Sequence, residues 1–165
     1  MQFEYLEHTA DLKFRSFGKT REKLIENSGK ALCNAVIDLK EIEKKGEEII
    51  ELKAENFEEL LFEFLKEVLY DIDANENIFS EFKVLELKEE KKRNKKELKE
   101  KETIKEKKVN EKTKKEIEFK LKISCFGEKI NLEKHEIKTE IKAITKHGFK
   151  VEKKEKWIAE VLVDV

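Results

Sequence analysis

The sequence predicts an α+β fold in which a mixed β-sheet carries two amphipathic helices on one face. Two segments have apolar residues at helical spacing, and several others have the short apolar or alternating patterns of strands. The predicted order is strand, strand, helix, strand, helix and then about five strands, which is typical of α+β proteins. A length of 165 residues fits one core, so residues 1–165 are expected to form a single domain.

Two short strands and a helix are expected at the start of the chain. Residues 2–7 and 11–17 have strand character, Gly18 begins a turn, and Thr20 can cap the helix that follows. Residues 21–38 then carry a core-facing stripe at helical spacing. The stripe contains Leu24, Ile25, Ser28, Ala31, Leu32, Ala35 and Val36.

A strand and a strongly patterned second helix come next. Residues 46–54 carry isoleucine and leucine and are expected to form a strand. Asn56 followed three residues later by Glu59 resembles a capping box, which predicts a helix start. This helix is expected to end near Asp71, and a sheet or another helix must cover its wide apolar face. That face contains Phe57, Leu60, Leu61, Phe64, Leu65, Val68 and Leu69.

The other regular segments are predicted to be strands. They are residues 79–87, 117–125, 137–145, 149–151 and 157–165. Residues 117–125 alternate strictly between apolar and polar, as in a half-buried strand, and Gly127-Glu128 is expected to turn the chain. The last segment is apolar at nearly every position, which indicates a strand buried on both faces, with Asp164 as the lone acid in its second half.

A charged segment at residues 88–116 interrupts these strands. It holds 14 Lys and Arg against 8 Asp and Glu, a local charge of +6 in a chain of total charge −1, which leaves −7 for the remainder. Only Leu98, Ile104 and Val109 are large and apolar, too few to repay the entropy of ordering the segment. We interpret it as an insertion that is either a solvated surface device or a segment that contacts RNA. The absence of interleaved aromatic residues favours the solvated device.

Composition excludes several classes of protein. Cys33 and Cys125 have no paired spacing, so neither a disulfide framework nor a zinc knuckle is expected, and both thiols are predicted to be buried. No apolar run approaches about 18 residues and no secretory signal is visible, so we expect a cytoplasmic protein without membrane contact. The five glycines form no phosphate-binding loop. The abundance of lysine, glutamate and isoleucine is typical of hyperthermophile proteins, although the lack of proline is not.

Two carboxylates stand where the chain is otherwise apolar. Asp11 begins a predicted strand and Asp164 lies inside the most hydrophobic one, where an ionised carboxylate is costly unless it is paired or bound to a cation. With the terminal carboxylate of Val165 they would form an oxygen-only site for a hard ion such as Ca²⁺ or Mg²⁺. In the alternative, Asp11 caps a turn and Asp164 pairs with a lysine. Spacing alone favours this alternative.

The three histidines are further candidates, because imidazole can bind a metal or make hydrogen bonds. His8 and Thr9 belong to the tetrapeptide HTAD before the second strand, and His147 follows Lys142 and Thr145 in KAITKH. For each histidine a satisfied hydrogen-bonding role is favoured over metal ligation. KAITKH nevertheless places a polar group inside an apolar strand pattern.

Four segments of the chain match one known protein family in order and in residues. They are EYLEHTADLKFRSFGKTREKLIENSGKAL, LLFEFLKEVLYDID, GEKINLEKHEIKTEIKAITKHGFKV and the ending VLVDV. With these segments the chain resembles the archease family over nearly its whole length except residues 88–116. The combination of HTAD, KAIT followed one residue later by histidine, and a penultimate aspartate is the most specific part of the resemblance.

The resemblance implies an α+β protein with no enzymatic activity of its own. Archeases activate the RtcB-type tRNA-splicing ligase: they promote guanylylation of its active-site histidine, allow multiple turnovers and broaden the nucleotides it accepts. They carry a divalent-metal site, assigned to calcium, with oxygen ligands that correspond here to Asp11, Asp164 and Val165. This reverses the balance between the two alternatives above, with Ca²⁺ as the expected ion and Mg²⁺ or Mn²⁺ as substitutes.

The remaining motif residues are expected to support this site or to face the partner. His8 and Thr9 would hold the turn that presents Asp11. The resemblance gives Lys142, Thr145 and His147 a supporting or partner-facing place.

Three features depart from the family pattern. The family usually has an aromatic residue before the histidine of KAIT-x-H, where this chain has Lys146, so no stacking role is carried over from the family to this position. Lys129 stands where the family has a proline after the Gly-Glu turn. The segment 88–116 is longer than usual, so no role is transferred to it.

Three functions were weighed, and the ligase activator is preferred. In that reading the protein binds near the ligase active site and helps to arrange metal and GTP. The second is an RNA-binding or chaperone-like adaptor that uses residues 88–116, whose RNA contact would weaken steeply with salt. The third is a metal-dependent hydrolase built on Asp11, His8 and His147, which the lack of an evident general base or nucleophile disfavours.

Overall fold

The computed structural model describes residues 1–7, 11–91 and 117–165 of the chain. Its helices are α1 (Arg21–Val36) and α2 (Phe57–Asn75), with a 3₁₀-helix at Leu39–Glu41. Its strands are β1 (Phe3–Leu6), β2 (Leu12–Gly18), β3 (Gly46–Ala54), β4 (Asn77–Lys91), β5 (Ile117–Lys129), β6 (Ala143–Lys153) and β7 (Trp157–Asp164). The predicted α+β class and both predicted helices are confirmed.

The strands form two sheets, where the sequence predicted one mixed sheet. Strands β1, β2, β7 and β6 form a four-stranded sheet in that order, and β3, β5 and β4 form a three-stranded sheet. Each of these pairings is antiparallel. Because β2 pairs with β7 and β3 with β5, the partners lie far apart in sequence, and local patterns could not reveal the division.

Each helix packs against both sheets, which joins them into one core. Helix α1 contacts β2 of the first sheet and β4 of the second, and α2 contacts β3 and β6. Over residues 119–123 of β5, buried apolar residues alternate with half-buried lysines, as expected when only one face of a sheet meets the helices. Neither of the two helices in the described ranges is long and apolar enough to cross a membrane.

Strand β7 is buried on both faces only over its second half. On the inner face, Val161 and Val163 are fully buried. On the outer face, Glu160 forms an ion pair with Arg15 of β2, so the first half is open to solvent. Leu162, on the outer face, is also buried, with 7% exposure. The predicted two-sided burial is therefore confined to residues 161–163.

Both helices begin at the side-chain caps that the sequence predicted. The Thr20 hydroxyl accepts a hydrogen bond from the Lys23 N–H at 3.1 Å. The side-chain oxygen of Asn56 accepts one from the Glu59 N–H at 2.8 Å. Each bond satisfies a backbone donor that the first helical turn would otherwise leave unpaired.

Helix α2 continues to Asn75, beyond its predicted end near Asp71. It stops where Glu76 adopts a left-handed backbone conformation with φ of 55° and donates its N–H to the carbonyl oxygen of Asp71. The ammonium group of Lys129 donates to the Asn75 carbonyl oxygen at 2.6 Å. The lysine that replaces the family's proline therefore caps this helix end.

Strand β4 extends into the segment that we predicted to be an insertion. Residues 88–91 continue its pairing with β5. An ion pair of 3.1 Å between Lys120 and Glu90 spans the two strands there. The rest of the predicted insertion, residues 92–116, lies outside the described residues.

Two details of the later strands differ from the prediction. Gly127-Glu128 lies inside β5 and does not turn the chain. Gly127 runs so close to β4 that an added Cβ would lie 1.8 Å from the Ile78 carbonyl oxygen, so glycine is required for close approach. Strand β6 is one element in place of the two pieces expected at 137–145 and 149–151, and residues 137–142 precede it without strand structure.

Both cysteines are free and fully buried, as predicted. Burial raises the pKa of the Cys33 thiol to about 12, and it also raises the pKa of Cys125. Such thiols remain protonated at neutral pH and are poor nucleophiles or metal ligands.

Helix α1 approaches its neighbours closely through small residues. The buried hydroxyls of Ser16 on β2 and Ser28 on α1 lie 2.6 Å apart, and Ser28 donates to the Leu24 carbonyl oxygen at 2.7 Å. One position along the helix, a Cβ added at Gly29 would lie 2.9 Å from the ring of Phe82 on β4. The glycine therefore lets α1 rest on the three-stranded sheet.

Gly29→Ala tests this contact, because helix propensity and packing predict opposite signs. Alanine favours a helix by about 1 kcal/mol over glycine. Overpacking a buried site costs about 1–3 kcal/mol, and Phe82 is only 2% exposed. We expect a net loss of about 1 kcal/mol in the free energy of unfolding, measured by denaturant titration.

The matched control is Gly46→Ala in β3. Among the described residues, a Cβ there would have only the Gly127 carbonyl oxygen within 4 Å, at 3.9 Å. We expect its free energy of unfolding to change by less than about 0.5 kcal/mol. A Gly29→Ala protein as stable as the wild type would contradict the proposed close packing.

Candidate metal centre

The pairing of β2 with β7 brings Asp11 and Asp164 to neighbouring positions. The last pair at this end of the two antiparallel strands is Leu12 with Val163. Asp11 comes just before Leu12, and Asp164 comes just after Val163. The two aspartates therefore stand at the next opposed positions, although they are 153 positions apart in sequence. Opposed residues in antiparallel strands have Cβ atoms about 4.5–5.5 Å apart. Continued by one residue, the register sets the two carboxylates side by side on the outer face of the sheet.

The end of β7 is also fixed from its other side. Strand β6 pairs Ala143 with Asp164, and the Lys142 N–H donates a hydrogen bond of 2.7 Å to the Asp164 carbonyl oxygen. Asp164 therefore lies on a central strand with neighbours on both sides. Its side chain is exposed, whereas Asp11 is half-buried.

An ion-pair network occupies the same outer face beyond the two aspartates. Arg15 donates to Glu160 at 2.5 Å and to Glu4 at 3.3 Å, and the Lys13 ammonium lies 3.6 Å from Glu160. The hydrogen bond from Arg15 lowers the pKa of Glu160. Asp164 takes part in none of the salt bridges between described residues, so the lysine that the alternative reading required is not found there.

The donor atoms at this end of the sheet fit a hard cation but only partly enclose it. Asp11, Asp164 and the following Val165, which is 37% exposed, offer oxygen donors alone. Oxygen is the ligand that Ca²⁺ and Mg²⁺ prefer. Among the described residues no group of three or more His, Cys, Asp and Glu side chains is arranged to hold a metal ion. Two side-chain carboxylates cannot supply the six to eight oxygens of Ca²⁺, so further ligands must come from other atoms.

The KAITKH residues approach the same end of the sheet along β6. Thr145 pairs with Leu162, and its hydroxyl lies 3.1 Å from the carbonyl oxygens of Leu162 and His147. His147 is exposed, and no hydrogen bond or ion pair to its side chain occurs among the described residues. Lys142 contributes its backbone N–H, which donates to the Asp164 carbonyl oxygen. The predicted residues His8 and Thr9 lie outside the described residues.

Lys146 makes a ring contact that sequence reasoning missed. Its ammonium group lies 4.6 Å from the centroid of the Phe62 ring on α2 and pairs with Glu59. The departure from the family pattern left the role of this position open, and in the structure a cation stacks there on an aromatic ring of the helix. The signal lay in Glu59 and Phe62, which are three residues apart and share one helix face.

A buried polar cluster around Glu128 was also not predicted. Lys134 donates to both Glu128 carboxylate oxygens, at 2.9 and 2.8 Å, and the Glu43 N–H donates to the same carboxylate. His135, only 3% exposed, accepts from the Asn131 N–H through Nδ1 at 3.0 Å, and its Nε2 lies 3.4 Å from Glu128. This histidine therefore makes one hydrogen bond, as the sequence suggested, while its buried Nε2 has no hydrogen-bond partner among the described residues.

A cavity of about 480 Å³ opens beside this cluster, at the start of β3 and the end of β5. It contains neither Asp11 nor Asp164 and belongs to the three-stranded sheet. Its lining mixes lysines with glutamates, and those lysines already make contacts within the chain, Lys45 with Glu128 and Lys129 with Asn75. The cavity is therefore not assigned to the metal centre.

Comparison with known proteins gives one consistent family. The profile of the Archease protein family (MTH1598/TM1083) matches residues 3–165. The chain is 36% identical to Protein archease of Pyrococcus furiosus, over 99% of each chain. It is 34% identical to Protein archease of Methanosarcina barkeri, over 99% of this chain and 96% of the relative.

A solved structure has a similar fold. The solution structure of Methanobacterium thermoautotrophicum protein 1598 superposes with a TM-score of 0.71, covering 99% of this chain and 98% of the other. The two sequences are 24% identical, so this likeness concerns the fold alone.

The Glu128 cluster predicts a specific loss of stability in acid. Burial acts to raise the pKa of Glu128, but the hydrogen bonds from Lys134 and from the Glu43 N–H outweigh it and lower the pKa from 4.5 to about 2. Because the folded state has the lower pKa, the stabilisation is complete above pH 4.5 and is lost as the pH falls towards 2. Glu128→Gln should therefore lose about 1–3 kcal/mol at pH 7.

The measurement is denaturant unfolding of wild type and Glu128→Gln from pH 7 to pH 2. We expect the difference between the two proteins to shrink as the pH falls below 4.5. Glu48→Gln, an exposed residue beside the same cavity, is the control and should follow the wild type. A difference that stays constant with pH would show that the Glu128 charge is not the source of the stabilisation.

Proposed function

The chain belongs to the archease family, and on that premise we propose that it is a non-catalytic activator of the RtcB-type tRNA-splicing ligase. It promotes guanylylation of the active-site histidine of the ligase, allows repeated turnover and broadens the nucleotide triphosphates that are accepted. It carries out this role in the cytoplasm. The full-length relatives at 34–36% identity support the family role over the whole domain.

The observation that carries the proposal is the register of β2 with β7. It makes Asp11 and Asp164 neighbours although the sequence separates them by 153 positions. Two carboxylates side by side repel each other unless a cation or another positive charge lies nearby. We propose that they hold a divalent ion, Ca²⁺ first and Mg²⁺ or Mn²⁺ as substitutes, together with an oxygen of Val165.

The small number of protein ligands suits an activator. A bound divalent ion supplies concentrated positive charge that stabilises anionic oxygens. Asp11 and Asp164 orient that charge towards solvent at an exposed end of the sheet, where a partner can supply further oxygen ligands. Lys142, Thr145 and His147 flank this end from β6, and His8 and Thr9 precede Asp11 in the chain.

The other two functions have less support. In the described part of the charged segment, residues 88–91, three charges are paired within the domain: Lys88 with Glu86, Glu89 with Arg21 and Glu90 with Lys120. A hydrolase would need a general base beside the ion, and the described residues hold no larger cluster of ligating side chains at this end. The adaptor role of residues 92–116 lies outside the described residues.

Metal binding is tested with the single variants Asp11→Asn and Asp164→Asn. Each removes one negative charge with little change in shape, so we expect affinity for Ca²⁺ to fall at least about tenfold, or about 1.4 kcal/mol. Calorimetric titration measures the affinity. Saturating Ca²⁺ should raise the melting temperature of the wild type and not that of a variant, because a ligand stabilises only the state that binds it.

The control for metal binding is Glu155→Gln, an exposed carboxylate at the opposite end of the sheet, in the turn before β7. It should bind Ca²⁺ as the wild type does. Equal Ca²⁺ affinity in all four proteins would show that the two aspartates do not form the site.

Ligase activation is tested by single-turnover guanylylation of the cognate ligase with GTP. Wild-type protein should accelerate the reaction, and the double variant Asp11→Asn with Asp164→Asn should not, because the ion can no longer be held. Glu155→Gln should accelerate it fully. If the wild-type protein did not accelerate guanylylation, the activator role would be excluded. Full acceleration by the double variant would exclude only the metal centre as the basis of activation.

A further inference from the structure

Strand β6 contains a bulge where it passes the metal-binding end of the sheet. Thr145 pairs with Leu162, but the next pair is Lys150 with Glu160, so β6 has three residues more than β7 between the two pairs. Gly148, within the bulge, has φ of +74°, a left-handed conformation that glycine adopts without strain. Bulges of this kind commonly redirect a side chain beside a functional site. Here the exposed side chains include Lys146 and His147.

The bulge is fastened to the beginning of helix α2 by four contacts. Lys146 pairs with Glu59 and stacks over the Phe62 ring at 4.6 Å. Phe149 meets the same ring edge to face, with centroids 5.2 Å apart. Just beyond the bulge, the Val151 N–H donates to a Glu58 carboxylate oxygen at 2.9 Å.

The support beneath these contacts is a fixed part of the molecule. Phe62 is 5% exposed, so its ring cannot move without disturbing the core. The first turn of α2 is held by the Asn56 cap, and its acidic residues are favourably placed near the positive end of the helix dipole. Glu59 is thus free to pair with Lys146 instead of returning to the cap as in a complete capping box.

We propose that Glu59, Phe62 and Lys146 are positioning residues, which hold the bulge so that His147 meets the partner protein. His147 lies four residues along β6 from Ala143, which pairs with Asp164. The inference rests on the proposed function, and it adds a contact element to the metal centre. His147 has no hydrogen bond or ion pair among the described residues, and its neighbour Thr145 ties the base of the bulge to β7. The imidazole is therefore available to an acceptor group on the partner.

The charges around the bulge favour a protein surface over a nucleic acid. The helix turn that supports it carries Glu58, Glu59 and Glu63. The positive charge of Lys146 is already paired with one of them. Lys66 pairs with Glu63, so two lysines face these three carboxylates. The net charge of the turn remains negative, which disfavours an RNA backbone.

The first experiment compares Lys146→Met with Lys150→Met. Both lysines lie on β6, with side chains 62% and 61% exposed, but Lys146 pairs with Glu59 of α2, whereas Lys150 pairs with Glu152 of its own strand. We expect Lys146→Met to raise the concentration that gives half-maximal ligase activation about fivefold, since it loses one ion pair and one cation–π contact. The maximal rate and the Ca²⁺ affinity should not change. Lys146→Arg, which keeps both contacts, should restore wild-type behaviour.

The second experiment is a double-mutant cycle with His147→Ala. If Lys146 acts by placing His147, Lys146→Met should have no further effect once the imidazole is gone. Amide hydrogen exchange at residues 147 and 148 should be faster in Lys146→Met than in Lys150→Met, which reports the position of the bulge without any ligase.

The outcomes separate this inference from the proposed function. Additive effects of Lys146→Met and His147→Ala, or equal behaviour of the Lys146 and Lys150 variants, would overturn the positioning role while leaving activation intact. A further outcome is that RNA-free and RNA-bound protein activate the ligase to different extents and that His147→Ala abolishes the difference. That result would favour an RNA contact of His147 and would also overturn the proposed contact with the partner protein. Absence of activation by the wild type would remove the proposed function itself.

Discussion

The antiparallel pairing of β2 with β7 is the constraint on which the rest of the molecule depends. It joins a strand near the start of the chain to the last strand and makes both of them central in the four-stranded sheet. The pairing sets Phe14 and Val161 together on the inner face, where both are fully buried. On the outer face the same register opposes Arg15 and Glu160, whose hydrogen bond would be lost in a slip of one residue. Burial and charge therefore select one register, and that register alone aligns the two aspartates.

The four-stranded sheet has the candidate metal centre at an exposed end and has its edge strand β6 supported by helix α2. Strand β6 pairs with the end of β7 and then forms a bulge, and α2 contacts this bulge from the inner side of the sheet. The helix therefore contributes to the core through Phe62 and to the surface through Glu59. This division explains why a charged residue can stand in a family position that is usually aromatic: Lys146 obtains its stacking partner from the helix and its counter-charge from the same turn.

Much of the local structure could be predicted because it depends on neighbours in sequence. The caps at Thr20 and Asn56 and the apolar stripes of both helices are local patterns, and the structure confirms them. The predicted end of α2 was wrong because the last turn of the helix is held by Glu76 and by Lys129, a residue 54 positions away from the helix end. Gly127 looked like a turn because close backbone approach and chain reversal both require glycine. The division into two sheets depends on pairings between distant strands, for which sequence patterns carry no partner information. In the candidate site, Asp11 and Asp164 could be predicted because they are charged residues in apolar segments. The contacts of Lys146 could not be predicted, because they join β6 to α2.

The distance in sequence between the two aspartates has a consequence for folding. Contacts between distant segments form at a higher entropic cost than local hairpins and helices, and they dominate the slow steps of folding in β-rich proteins. The β4–β5 ladder and the two helices can assemble from shorter segments, but the β2–β7 pair needs residues from both ends of the domain. A partly folded chain can therefore contain most of the core and still lack the paired carboxylates. The pairing of the two aspartates is therefore present only in molecules in which both ends of the domain have come together.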